Sequence, residues 1–134
     1  MKLESEKVTV NANIQTIIEF LKNAENLYEL LPKDNISDFK ADATQCSFKV
    51  QGGFEISLVE DGIGENVVHL KSGEKTPFPF KLDVHLTDMG NNQTEGYIAF
   101  DGEVNMFLKM MVEKPLLNLF NYMSKKLMYK YQVS

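Results

Sequence analysis

FPFKLDVHLTDMGNNQTEGYIAFDGEV, residues 78–104, runs directly into NMFLKMMVEKPLLNLFNYMSKKL, residues 105–127. The first stretch has a period of two. Phe78, Phe80, Leu82, Val84 and Leu86 fall on one side of an extended chain, and Lys81, Asp83, His85 and Thr87 on the other. Gly90, Asn91 and Asn92 supply turn chemistry. The chain then returns with Ile98, Phe100 and Val104 opposed to Glu95, Tyr97, Asp101 and Glu103. This alternation predicts antiparallel strands with one buried face and one wet face. After Asn105 the period becomes helical, and Leu116, Leu119, Phe120, Met123 and Leu127 share a stripe. A one-sided sheet needs a cover. The only element long enough to supply one is this helix.

Pro115 stands inside the helical pattern and predicts a kink or a fresh start. Lys109 argues for a break, because an unbroken helix would set it within the downstream apolar stripe. Upstream, Phe107, Met110 and Met111 make a face of their own.

Working outward, residues 3–10 alternate loosely and read as a first strand. NANIQTIIEFLKNAENLYELLP, residues 11–32, follows. Ile14, Ile17, Ile18 and Leu21 recur at helical spacing, with Asn11 or Asn13 as the N-cap. Leu27, Leu30 and Leu31 form a second short apolar face that Pro32 stops, so two short helices are expected. Further strands are expected at 36–43, 45–51, 54–60, 65–71, 78–88 and 93–104. The breaks between them carry Gly52-Gly53, Asp61-Gly62, Ser72-Gly73 and Gly90-Asn91-Asn92. Short connections imply an antiparallel meander. The expected architecture is one α+β domain over residues 1–134, with about seven strands wrapped on a long C-terminal helix.

Composition narrows the function classes. Hydrophobic residues make up 43% and charged residues 25%, a globular balance. The net charge of −5 argues against nucleic acid as a partner, since phosphate binding draws on Lys and Arg. No apolar run reaches the ~20 residues of a membrane span. The opening MKLESEKVTV lacks the apolar core of a signal peptide, and the single Cys46 fits a reducing compartment, so a cytoplasmic location is expected.

Three segments carry a family resemblance: the opening VTVNANIQTIIEFLKNAENLYELLP, the strand start TPFPFKL, and the ending EVNMFLKMMVEKPLLNLFNYMSKKL. Together they resemble the helix-grip proteins of the START/Bet v 1-like (SRPBCC) superfamily, including small bacterial members labelled polyketide cyclase/dehydrase-like. The resemblance covers essentially the whole chain. It departs at Ala12-Asn13, where the family often has Ala-Pro. It implies a cavity beneath the last helix. The superfamily includes lipid carriers, hormone receptors, quinone-binding proteins, aromatic cyclases and chaperone co-factors, so fold alone does not choose a function.

The residues show no catalytic constellation. His69 and His85 are the only histidines and fall on predicted outward positions, and no cofactor or metal site is expected. Cys46 alternates with Phe48 and Val50 and reads as a buried thiol. Gly52-Gly53 and Gly62-Ile63-Gly64 lie between strands rather than before a helix, which does not suit a phosphate loop. Lys125, Lys126 and Lys130 suit the negative end of a helix dipole.

An apolar pocket is the better candidate. Its expected lining is Phe39, Phe48, Phe54, Phe80, Leu82, Ile98 and Phe100 from the sheet, with Met110, Leu116, Leu119, Phe120 and Met123 from the helix. Soft methionines at 106, 110 and 111 precede Pro115. A mouth is expected near Phe78, held between Pro77 and Pro79, or at the Pro115 joint. The expected partner is a small hydrophobic molecule: a lipid, isoprenoid, quinone or polyketide-like aromatic. Two alternatives stay open. A cyclase or dehydratase would need a polar group in the pocket, with Tyr28, Tyr122, Cys46 and Asp38 as candidates. An interaction module or homodimer would use Met111, Tyr122 and other apolar residues off the main stripe.

Overall fold

A computed structural model describes residues 1–51 and 53–132. Its centre is the hairpin of β7 (Phe80–Gly90) and β8 (Gln93–Gly102), in which Leu82 faces Phe100 and Val84 faces Ile98. Asn91 and Asn92 make the turn with φ of +55° and +58°. Paired positive φ values match the right-handed twist of the strands they join. Strand pairing starts at Phe80, not at Phe78. Pro77 and Pro79 offer no N–H to a ladder, yet Phe78 still turns inward and is buried.

The other strands are β3 (Ile36–Ala41), β4 (Gln45–Val50), β5 (Phe54–Ile63) and β6 (Val67–Ser72). Each is antiparallel to the next, and the meander continues through β7 and β8. The first strand closes the sheet beside the last one. It is split into β1 (Lys2–Glu4) and β2 (Val8–Val10), both paired with β8. Ser5 explains the split. Its N–H donates to the Ile98 carbonyl at 2.8 Å, while its hydroxyl accepts from the Ile98 N–H at 2.8 Å. A side chain thereby takes a ladder position that a backbone carbonyl would hold.

Asp61-Gly62 does not end a strand as expected. β5 continues to Ile63 through a bulge between Glu60 and Ile63, with Gly62 at φ +102°. A bulge adds a residue and bends the strand, and glycine carries the positive φ without strain. Of the expected Gly52-Gly53 turn, Gly52 lies outside the described residues.

Three helical segments among the described residues complete the fold. In α1 (Ile14–Leu21) the Asn13 side chain accepts from Thr16 N–H at 2.8 Å, as an N-cap does. Residues Ala24–Leu30 form the second expected helix as a 3₁₀ helix rather than an α-helix. The last helix, α2, runs unbroken from Met106 to Lys130, with Asn105 as its cap. The expected break at Pro115 is therefore absent. Proline removes one intrahelical bond, to the carbonyl of Met111, whose residue faces solvent. Lys109 also avoids the core, because the packed stripe starts only at Val112. The buried residues of α2 are Val112, Leu116, Leu119, Phe120, Met123, Ser124 and Leu127, and they face the inner side of the sheet.

Candidate functional site

Strand alternation aims Phe48, Ile56, Leu58, Phe80, Leu82 and Phe100 at α2, which answers with Leu116, Leu119, Phe120 and Met123. The rings form a chain across the interior. Phe80 and Phe100 centroids lie 5.2 Å apart, and those of Phe100 and Phe120 lie 5.5 Å apart. Phe78 packs edge-on against Phe100 at 6.3 Å and closes one end. Each buried ring or leucine side chain contributes about 1.5–3 kcal/mol through removal from water. The same contacts leave a void of only about 20 Å³ on one side of Met123 and about 10 Å³ on the other.

The first void lies between β6–β8, the 3₁₀ helix and the second half of α2. Leu21, Leu27, Leu30, Val84, Ile98 and Leu127 are among its walls. The second is bounded by the phenylalanine cluster. Leu82 and Met123 belong to both walls. A water needs about 10–15 Å³ of such space and two or more polar partners. The polar side chain that α2 presents to the first void is Ser124. Its hydroxyl donates within reach of both Ser5 Oγ, at 2.8 Å, and the Phe120 carbonyl, at 3.0 Å.

Eight of the twelve expected lining residues meet in the phenylalanine cluster: Phe48, Phe80, Leu82, Phe100, Leu116, Leu119, Phe120 and Met123. Ile98 lines the neighbouring void. Phe39 and Phe54 are half-buried at the margin of the core, Phe39 lying 6.4 Å from Phe48 and 4.8 Å from Tyr28. Met110 stands apart and is 80% exposed. Sequence reading missed Ser124, although it lies one helical turn past Phe120 and carries a hydroxyl on an otherwise apolar stripe.

Two open concavities lie outside the core. A groove of about 370 Å³ runs along α2 between Pro32, Ile36, Val50, Pro115, Leu119 and Tyr122. A larger one of about 910 Å³ lies against the opposite face of the sheet, with Lys40, Ser47, Ser57, Val59 and Lys75 among its walls. Ser47 and Ser57 are cross-strand partners there, and Thr76 Oγ1 accepts from Ser57 N–H at 2.8 Å.

Among the described residues the ionisable groups keep away from the interior, with one exception. Cys46 is buried, and burial pushes its thiol up to about 12, so it is held as a neutral thiol rather than a nucleophilic thiolate. His69 and Asp83 pair at 2.7 Å on the outer face, and His85 stacks on Tyr97 at 5.0 Å. Asp38 sits at the β3 bulge with φ +55° and pairs with Lys49 at 3.3 Å. Tyr28 and Tyr122 are exposed. Among the described residues no three His, Cys, Asp or Glu side chains gather as a metal site would need.

Comparison with solved structures identifies the fold. A START superfamily protein from Mycobacterium smegmatis superposes with a TM-score of 0.69 at 16% identity, over 97% of this chain and 96% of that one. The fold is the START-like helix grip. The solution structure of KanY protein gives a TM-score of 0.74 at 10% identity, over 98% of each chain. A conserved protein from Geobacillus kaustophilus gives 0.71 at 12% identity, over 98% and 95%. No family model matches the sequence, and no curated protein matches it. No helix among the described residues is long and apolar enough to cross a membrane.

Proposed function

We propose that this chain binds a small apolar molecule between β6–β8 and α2, as a carrier or sensor without chemistry of its own. Lipids, isoprenoids, quinones and polyketide-like aromatics form the candidate class. One observation carries the reading: two apolar voids adjoin, and their shared wall includes Met123, a side chain with three rotatable bonds. Both spaces are far smaller than such a ligand, so uptake requires α2 to move off the sheet as Met123 turns aside. Ser124 then offers one hydroxyl to orient a ligand, in keeping with pockets that are apolar with few polar fixtures. The groove along Pro115 and Tyr122 shares Leu119 with the phenylalanine cluster, which makes it the natural way in.

The test is uptake of a neutral fluorescent probe, N-phenyl-1-naphthylamine, by parent and variants. Met123→Ala merges the voids at a cost of about 2–5 kcal/mol in stability. It should bind the probe several-fold more tightly and regain melting temperature when the probe is present. Phe120→Trp fills the space and should abolish uptake with the fold retained. Equal uptake by all three proteins would place binding elsewhere. Native mass spectrometry of freshly purified protein then reads any retained molecule directly.

A further inference from the structure

The outer side of α2 is as patterned as its inner side. Phe107, Met111, Lys114, Asn118, Tyr122, Lys125 and Tyr129 recur every three or four residues, and each is exposed. That spacing sets them on one continuous stripe. Met106 and Met110 widen the stripe at its N-terminal end. There the exposures are 76% for Met106, 72% for Phe107, 80% for Met110 and 53% for Met111. Four large apolar side chains in water within two turns call for a covering partner, because a soluble surface rarely groups them.

Charge indicates what that partner is. α2 carries five lysines and one glutamate, a net +4, in a chain whose total is −5. Its single carboxylate, Glu113, lies off the stripe, on the flank that carries Met106, and is paired with Lys109 at 4.0 Å. Lys125 and Lys130 reach sideways to Glu6 and Glu29, at 3.3 Å and 3.2 Å. Lys114, in the middle of the stripe, makes no ion pair among the described residues. The stripe itself holds no carboxylate. A second copy is a poor fit, because a two-fold contact through this stripe would set lysines against lysines, and the nearby Glu6 is already taken by Lys125.

We propose that this outer stripe of α2 docks on an anionic lipid bilayer, with Met106, Phe107, Met110 and Met111 entering the headgroup boundary and Lys114, Tyr122 and Tyr129 lying along it. Apolar side chains at one end, tyrosines and lysines along the rest, and a single flanking acid already paired with Lys109 are the composition of an in-plane interfacial helix. Tyrosine and lysine both keep an apolar body with a polar tip, so they suit that depth. The inference concerns the outer stripe and stands whether or not the interior takes a ligand.

The experiment is vesicle flotation with the full chain. Vesicles of phosphatidylcholine alone are compared with vesicles containing about 30 mol% phosphatidylglycerol. The protein should float with the anionic vesicles only and be released at about 0.5 M NaCl. The Phe107→Ser/Met111→Ser double variant should lower the bound fraction about tenfold. Lys114→Gln should lower it about fivefold. All three side chains are exposed, and circular dichroism checks that the fold is kept. Absence of flotation with anionic vesicles would overturn the proposal, as would flotation unchanged in both variants. Equal retention on poly-glutamate beads, insensitive to Phe107 and Met111, would also overturn it, as plain charge attraction. So would sedimentation as a stable dimer that the double variant dissolves.

Discussion

The two ends of α2 are both rich in large apolar side chains and have opposite fates. From Val112 to Leu127 the large apolar side chains are buried against the sheet, the 3₁₀ helix and the first strand, save for a half-buried Leu117 and an exposed Tyr122. From Met106 to Met111 they stand in water, save for a half-buried Leu108. Pro115 lies close to the boundary. Helix formation therefore does not by itself dictate where an apolar face goes; a facing surface is needed. The sheet supplies one only as far as Phe78 and Phe80, whose rings close that end. The packed end holds the fold together, and the unpacked end is left free to meet something else.

The sharpest way to break this comparison is to shorten one side chain at each end. Leu116 is fully buried, so Leu116→Ala removes apolar contacts and leaves a cavity. The expected loss is about 2–5 kcal/mol. Met110→Ala, at an 80% exposed position, should change stability by less than about 0.5 kcal/mol. Urea unfolding of the two variants reads the contrast. A loss at Met110 comparable to that at Leu116 would mean that the exposed end is packed after all.

Pro115 gives a smaller effect of opposite sign. Its ring leaves the Met111 carbonyl without an intrahelical donor. Pro115→Ala restores that N–H in a helix that is already formed. Stability should rise, by at most about 3 kcal/mol, the cost of proline inside a helix. Probe uptake should slow if the joint is where α2 flexes to admit a ligand. Faster uptake would sink the idea that Pro115 is the point of yielding.

Much of this was legible in the sequence, for identifiable reasons. The alternation around Phe80–Leu86 and Ile98–Phe100 is strict because that hairpin has one buried face, and the inward residues follow from it. The Leu116–Met123 stripe is legible for the same reason at helical period. The break of the first strand was not, because it depends on Ser5 reaching Ile98, 93 residues away. The unbroken course of α2 was hidden as well. Lys109 looked misplaced only on the assumption that the packed stripe extends back to Met106, and packing starts at Val112. Void size could not be read from residue types. The same phenylalanines can enclose a space or fill it, and ring geometry decides.

The smallest effect tests how far the two ends are coupled. Asn105 caps the exposed end, its side chain accepting from Leu108 N–H at 2.8 Å. Asn105→Ala removes that acceptor and costs the first turn about 1 kcal/mol. If the two ends were one cooperative unit, that energy would appear in global unfolding. The packing pattern argues otherwise, because the first turns bury no side chain fully and can fray while Val112 onward stays seated. The expected result is hydrogen exchange about fivefold faster at the amides of Leu108 to Met111. Exchange beyond Leu116 should be unchanged, and the urea midpoint should move by less than a core substitution moves it. A proportionate drop in the midpoint would join the two ends into one unit. It would also remove the reason to treat Met106–Met111 as a surface free to dock.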